Sequence, residues 1–295
     1  MMSSKKTSDP LAETDKIVNS LWEKFPEIAK RLIRESQDMT DPKNQSFFEN
    51  PDAASEHETN WHEWGIITHT KNFEKKYREE LPGLFAKWGI FEKIRKALNN
   101  EIDGVKKNDL LNIAAVLHDL GKFTQRKLTR KEDGAISVSF KTHEVASGRI
   151  IRSPKFLEML KTNYGLSEPQ IEYIARCAEL HYELGIFRDK MKGISRDYTI
   201  AFAKSGEFKK EVKDMLSHYG SFSPEIGILF LADSLAKTSI NISVEDDEGI
   251  EAADAMIKRE LEKRGLPQKL LKAVKNAPVN CRVGEEYLKI WASGV

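Results

Sequence analysis

Cysteine is scarce in this chain, with only Cys177 and Cys281 among 295 residues. Two thiols so far apart make neither a disulfide framework nor a zinc-ribbon spacing, and a reducing compartment is the expectation. An excess of one charge is lacking too. The 47 basic and 46 acidic residues leave a formal net charge of +1, which removes bulk electrostatics as a reason to bind nucleic acid or a membrane, so that any such contact must be local. No run of about 18 apolar residues occurs, and Met1 to Thr14 is polar where a secretion signal would be apolar. The expectation is a soluble cytoplasmic protein without membrane contact. There is no internal repeat and no low-complexity stretch.

What is present is helical periodicity. The length exceeds the usual domain range of roughly 100–200 residues, which leaves room for one large helical body or a core with extensions. After a frayed tail, Ile17, Leu21, Trp22, Phe25, Ile28 and Leu32 recur at helical spacing, with a kink or break expected at Pro26, hence a helix pair or a bent helix. Residues 36–60 are rich in Asp, Asn, Ser, Pro and Glu and read as a long ordered loop or a linker. From Trp61 to about Lys237 helix follows helix. The one exception is Lys127 to Phe140, where Asp133-Gly134 and the alternating Ile136, Val138 and Phe140 predict a small β-hairpin. The remainder opens on an acidic turn at Glu245 to Gly249 and resumes helical spacing, broken at Gly265 to Pro267 and at Pro278. The expected fold class is all-α, a multi-helix bundle with a hairpin insertion. Three segments follow: a helical extension with polar loop over 1–56, the chemical domain over 57–240, and a C-terminal helical extension over 241–295.

Ionisable residues stand where apolar ones belong. Leu110 to Leu117 is almost wholly apolar, predicting a buried helix, and it runs into His118-Asp119-Leu120-Gly121-Lys122. Two ionisable groups at the inner end of a buried helix need a partner: a hydrogen bond, an ion pair or a metal. Gly121 is expected to stop the helix and Lys122 to follow in a loop, either reaching an anion in a cleft or standing exposed. The oddity recurs. His69 lies at the edge of the Ile66, Thr70, Phe73, Tyr77 stripe, and Ile171, Ile174 and Ala178 lead to His181. Ile226, Leu229 and Phe230 lead to Asp233, and His143 opens a helix continued by Ala146 and Ile150. Singly, each is more simply a hydrogen-bonded core or cap residue. Jointly, imidazoles and carboxylates converging without a thiolate suit zinc, manganese, iron, nickel or cobalt.

In this order and spacing, His69, His118-Asp119 and Asp233 resemble the HD superfamily of metal-dependent phosphohydrolases. Trp61-His62-Glu63-Trp64 with His69-Thr70 looks like the entry motif of HD domains found beside tRNA nucleotidyltransferases. Ala114 to Lys122 is similar to their central motif, and Leu231-Ala232-Asp233-Ser234-Leu235 to the closing one. The resemblance covers roughly residues 57–240. It implies that His69, His118, Asp119 and Asp233 hold one divalent metal, and that Asp119 bridges to a second held by His143 and His181. Cys177, four residues before His181, reads as packing rather than a ligand.

The chemistry implied is hydrolysis of a nucleotide or related phosphoester by metal-activated water, with Asp119 orienting the water and Lys122 stabilising charge on the phosphate. Arg126, Lys127, Arg130 and Lys131 form either a solvated surface or a lip for the phosphates of a nucleotide or a short RNA end. His62 either lines the cleft or caps a helix, with Glu63 as its partner, and His57 and His218 read as surface residues. The nucleotidyltransferase catalytic domain and the Gly-Tyr-Pro motif of cyclic dinucleotide phosphodiesterases are both absent. Two alternatives stay open: a di-iron oxygenase with the same ligand types, and a degenerate HD module that binds a nucleotide or partner without catalysis.

Overall fold

The computed structural model describes residues 10–53, 62–130, 132, 134, 136–190, 201–239, 250–266 and 270–294. The expected features at His57, Trp61, Lys131, Asp133, Glu245 to Gly249 and Pro267 lie outside them. Helices dominate. The chain opens with α1 (Pro10–Ser36) and α2 (Pro42–Glu49), then α3 (Ile66–Lys75), which passes through a π-helical turn (Lys76–Glu80) into α4 (Leu81–Lys87) and α5 (Phe91–Leu98). A two-stranded hairpin, β1 (Glu101–Ile102) with β2 (Val105–Lys106), leads into α6 (Lys107–Leu117) and α7 (Gly121–Gln125). The expected second hairpin follows, β3 (Lys127–Arg130) against β4 (Ile136–Ser139), antiparallel with Lys127 opposite Ser139 and Arg130 opposite Ile136. Then come α8 (His143–Ile151), α9 (Pro154–Tyr164), α10 (Glu168–Leu180), α11 (Gly185–Lys190), α12 (Gly206–Tyr219), α13 (Ser223–Ala236), α14 (Ile250–Lys263) and α15 (Leu271–Ala292).

The core is built around α6 and α13, which are apolar on nearly every side and buried along almost their whole length. A helix of that composition is stable only where other helices cover it all round. On one flank α1 supplies Leu21, Phe25 and Ile33, and on another α10 supplies Ile171, Ile174 and Ala178, all fully or almost fully buried in the same core as α6. The C-terminal α15 lays Val283, Tyr287 and Leu288 into that core as well. Both extensions therefore share the central core, whereas Ile257 and Leu261 of α14 form a small separate cluster with Leu270.

Several expectations are corrected here. Position 26 does not split α1 into a pair of helices, for one helix runs from Pro10 to Ser36 with Pro26 inside it. A proline there costs about 3 kcal/mol. Buried Leu21 and Phe25 before it, with Ala29, Leu32 and Ile33 after it, each gain on the order of 1–3 kcal/mol from burial and outweigh that loss. Helix α15 likewise runs unbroken through position 278. The 36–60 stretch holds a helix, α2, because the Asp41 side chain accepts from the Lys43 N–H and Pro42 starts the first turn.

Candidate metal centre

Helix α6 ends at Leu117, and the turn after it presents His118 and Asp119, both fully buried. Gly121 does not stop a helix into a loop but starts α7, and Lys122 lies inside that helix, 4 % exposed. The glycine is there for proximity. A Cβ at Gly121 would stand 1.9 Å from the His143 carbonyl oxygen, so only glycine lets the start of α8 come this close. A short relay fixes the approach: Gly121 N–H donates to Ser147 Oγ at 2.8 Å, and Ser147 O–H donates to the His143 carbonyl at 2.9 Å. Thr142, immediately before His143, takes a left-handed backbone with φ 60°. For a β-branched residue that is strained by about 1–3 kcal/mol, a cost tolerated where surrounding structure dictates the turn.

Six of the residues expected to be ligands come together. Around Asp119, Oδ2 lies 3.4 Å from His69 Nε2 and 3.3 Å from His118 Nε2, while Oδ1 lies 3.4 Å from His143 Nε2 and 3.8 Å from His181 Nε2. Asp233 Oδ1 is 3.2 Å from His69 Nε2. The histidines come from α3, the turn after α6, the first position of α8 and the residue after α10, and Asp233 from the last turns of α13. Asp119 thus stands between two groups, His69 with His118 on one oxygen and His143 with His181 on the other.

Each ring is aimed by a backbone carbonyl. Nδ1 of His118, His143 and His181 meets the carbonyl three residues earlier, of Ala115, Phe140 and Ala178, at 2.8, 2.9 and 2.7 Å, and His69 Nδ1 meets that of Ala236 at 3.3 Å. A carbonyl only accepts, so the neutral ring carries its proton on Nδ1 and leaves a lone pair on Nε2. Those lone pairs face carboxylate oxygens, which also only accept. His118 Nε2 and Asp119 Oδ1 are buried without a hydrogen-bond partner among the described residues. Acceptors crowded against acceptors in a dry site are stable when a cation lies among them, and a backbone-tethered Nδ1 is the usual support of a metal-binding imidazole. The donor set fits a divalent transition metal.

Charges are arranged to match. Burial alone would raise the Asp119 carboxyl, but positive charge on His118 or on Lys122, whose Nζ is 2.6 Å from Oδ2, holds it well below the usual carboxylate range. Burial opposes Asp233 likewise, and Lys237 and His69 hold it low. Burial depresses His181 to about 3, with His118 adding to the effect, and burial followed by Lys122 lowers His69. The two carboxylates are held in the ionised form, and burial favours the neutral form of His69 and His181, the forms a metal requires.

A pH dependence follows. A histidine whose folded pKa is depressed contributes stability that is complete above its unfolded value near 6.5 and is lost as pH falls toward the folded value, here about 3 for His181. Each such ring removes about 1.4 kcal/mol per pH unit below 6.5. The metal-free protein is therefore expected to melt at progressively lower temperature from pH 6.5 to 4; a flat or rising melting temperature would contradict the neutral assignment.

His62 stands beside the cluster. It lies ahead of α3, not on it, is 8 % exposed, and stacks on His69 with ring centroids 4.0 Å apart and planes 7° from parallel. The stacked rings lie in parallel planes, which disfavours both binding one ion, although His62, His69 and Asp233 have ligand atoms close enough together to share one. His62 Nε2 lies 3.4 Å from Lys122 Nζ. Glu63 is not its partner; that carboxylate accepts from Thr238 and Ser239. Arg126 stays out of the cluster: its guanidinium donates to Asn44 Oδ1 at 2.8 Å and lies over Phe47, both in α2. Lys127 and Arg130 are exposed on the hairpin, as is His218 on α12. Cys177 is buried, and burial followed by the nearby Glu225 raises its thiol well above the usual range, which fits packing. Two residues of the site were missed. Phe73, stacked on His118 at 4.0 Å, was read only as stripe; Lys237, 2.6 Å from Asp233 Oδ2, carried a visible signal in its four-residue spacing from Asp233.

A buried cluster of imidazoles around a central carboxylate, carried by helices, is that of a helical protein whose side chains could hold a metal ion. Residues 88–238, just over half of the chain, match the family model of the HD domain, and the chain belongs to that family. HD domains form a superfamily of metal-dependent phosphohydrolases, and the clustered His and Asp side chains here are disposed to hold metal. The matched residues include His118, Asp119, His143, His181 and Asp233; His69 precedes them and joins through geometry. No curated protein and no solved structure matches the chain. No helix among the described residues is long and apolar enough to cross a membrane.

Proposed function

We propose that this chain is a metal-dependent phosphoric ester hydrolase acting on a nucleotide or related small phosphoester at a dinuclear site. The observation that carries the reading is the division of Asp119, with Oδ2 facing His69 and His118 and Oδ1 facing His143 and His181. In this reading His69, His118, Asp119 and Asp233 would hold one divalent ion, and Asp119, His143 and His181 would hold a second. The chemical unit is residues 57–240, and the two terminal extensions complete its core. Bound ions of this kind acidify water and polarise a phosphoryl oxygen.

The chain's own residues do the rest. Asp119 and Asp233, held ionised, set the charge of the site, and the carbonyl-tethered rings keep their lone pairs inward. Lys122, buried against Asp119 and beside His62, is placed to meet negative charge on the phosphoryl group. His62 offers a second contact, its Nδ1 being buried without a hydrogen-bond partner among the described residues. His143 is 16 % exposed while the other histidine ligands are at most 1 % exposed, so the cluster opens to solvent at His143.

The test is metal content per chain followed by a panel of p-nitrophenyl phosphate, bis-p-nitrophenyl phosphate and 2′,3′-cyclic nucleotides. Hydrolysis that disappears on chelation and returns with manganese supports the reading. Full turnover by metal-free protein, or no turnover of any phosphoester by metal-replete protein, overturns it.

A further inference from the structure

One further charged group is built into this site. Lys237 follows directly on α13, is 6 % exposed and places Nζ 2.6 Å from Asp233 Oδ2, an ion pair formed without hydrogen-bond geometry. Asp233 is thereby shared, Oδ1 facing His69 Nε2 at 3.2 Å and Oδ2 facing the ammonium. The lysine is itself held in place. Its Nζ lies 5.3 Å from the ring centroid of Tyr182, the residue after His181. That ring sits so close over Gly185 that a Cβ there would stand 2.2 Å from Tyr182 Cε1. The Lys237 carbonyl accepts from the Glu63 N–H at 2.8 Å. An ammonium is kept in a dry site only where it is paired, and here main chain, ring and carboxylate all fix it.

We propose that Lys237 is a positioning residue: by drawing Oδ2 into an ion pair it turns the other oxygen of Asp233, Oδ1, toward the His69 side of the metal centre. The proposal rests on the dinuclear reading above. An unrestrained carboxylate rotates and offers either oxygen, so the loss of Lys237 falls on the ion that Asp233 helps to hold and spares the one held by His143 and His181. Partners that orient a ligand in this way typically contribute 10–100-fold in metal affinity.

The experiment is calorimetric titration of manganese into the metal-free full-length chain, wild type against Lys237→Met and Lys237→Arg, with kcat and KM on the phosphoester hydrolysed best. Lys237→Met is expected to weaken one of two manganese sites by about 10–100-fold, to lower kcat with KM little changed, and to leave the other site as it was; Lys237→Arg restores most of the affinity. A purely structural lysine would lower the melting temperature and leave both manganese affinities unchanged, which overturns the proposal. A raised KM with unaltered metal binding makes Lys237 a substrate contact and overturns it equally. Should Lys237→Met fail to fold, Tyr182→Leu loosens the ammonium without stranding a charge and should show the same one-site weakening in smaller measure; two unchanged sites there refute the idea. A wild-type chain that binds no manganese removes the dinuclear reading itself, and this proposal with it, whereas identical binding by wild type and variants removes the proposal alone.

Discussion

Asp119→Ala is expected to leave the chain without tightly bound metal and to reduce phosphoester hydrolysis by on the order of a thousandfold or more. Every one of the four clustered imidazoles points Nε2 at an oxygen of this carboxylate, so its removal takes a ligand from both groups at once. It also leaves Lys122, 4 % exposed, without the oxygen it now approaches to 2.6 Å. Stranding one partner of a buried pair costs about 3–5 kcal/mol, so the alanine variant combines loss of metal with loss of stability. Asp119→Asn separates the two effects, because it keeps the shape while removing the charge. Elemental analysis after desalting should find both variants empty, with the asparagine variant retaining its helical circular dichroism. An asparagine variant carrying the wild-type amount of metal would show that the carboxylate charge is not what holds it.

The convergence on Asp119 was legible because it is written in short-range pattern. Apolar residues at 3.6-residue spacing lead to His181 and to Asp233, and an unbroken apolar run leads to His118, so each helix announces which side chain it buries. The fold class was legible for the same reason. Signals of two or three residues are weaker: Asp41-Pro42 opens α2, and Asp103-Gly104, both at positive φ, make the β1–β2 turn. The Asp-Gly dipeptide at 133–134 carries the same turn signal. Other features depend on contacts between distant segments. Gly121 looks locally like a helix stop, and only the approach of the His143 carbonyl, 22 positions on, reveals why it has no side chain. Pro26 signals a break, yet the buried residues to either side of it make one helix the better packed choice. Arg126 sits beside the central motif in sequence and is drawn off by α2, whose helix had not been expected.

The second large effect divides the metal centre. His69→Ala and His143→Ala act on opposite oxygens of Asp119, 3.4 Å from Oδ2 and 3.4 Å from Oδ1. If two ions share this carboxylate, each variant loses one and keeps the other, and hydrolysis falls by on the order of a hundredfold or more in both, because a paired site works by holding attacking and leaving oxygens together. A single-ion centre behaves asymmetrically. His69→Ala would then empty it, while His143→Ala would leave the metal in place and alter turnover alone. His143 suits this comparison better than His181. Its side chain is 16 % exposed against 1 %, so truncation opens no sealed cavity and the fold is spared the large penalty of an emptied core position. Metal stoichiometry of wild type and the two variants, read beside their metal-free melting curves, therefore decides between one ion and two without reference to any substrate. A wild-type chain with two ions and a His143→Ala chain with one would make Asp119 a bridge; equal metal in those two proteins would leave His143 to the chemistry of the substrate.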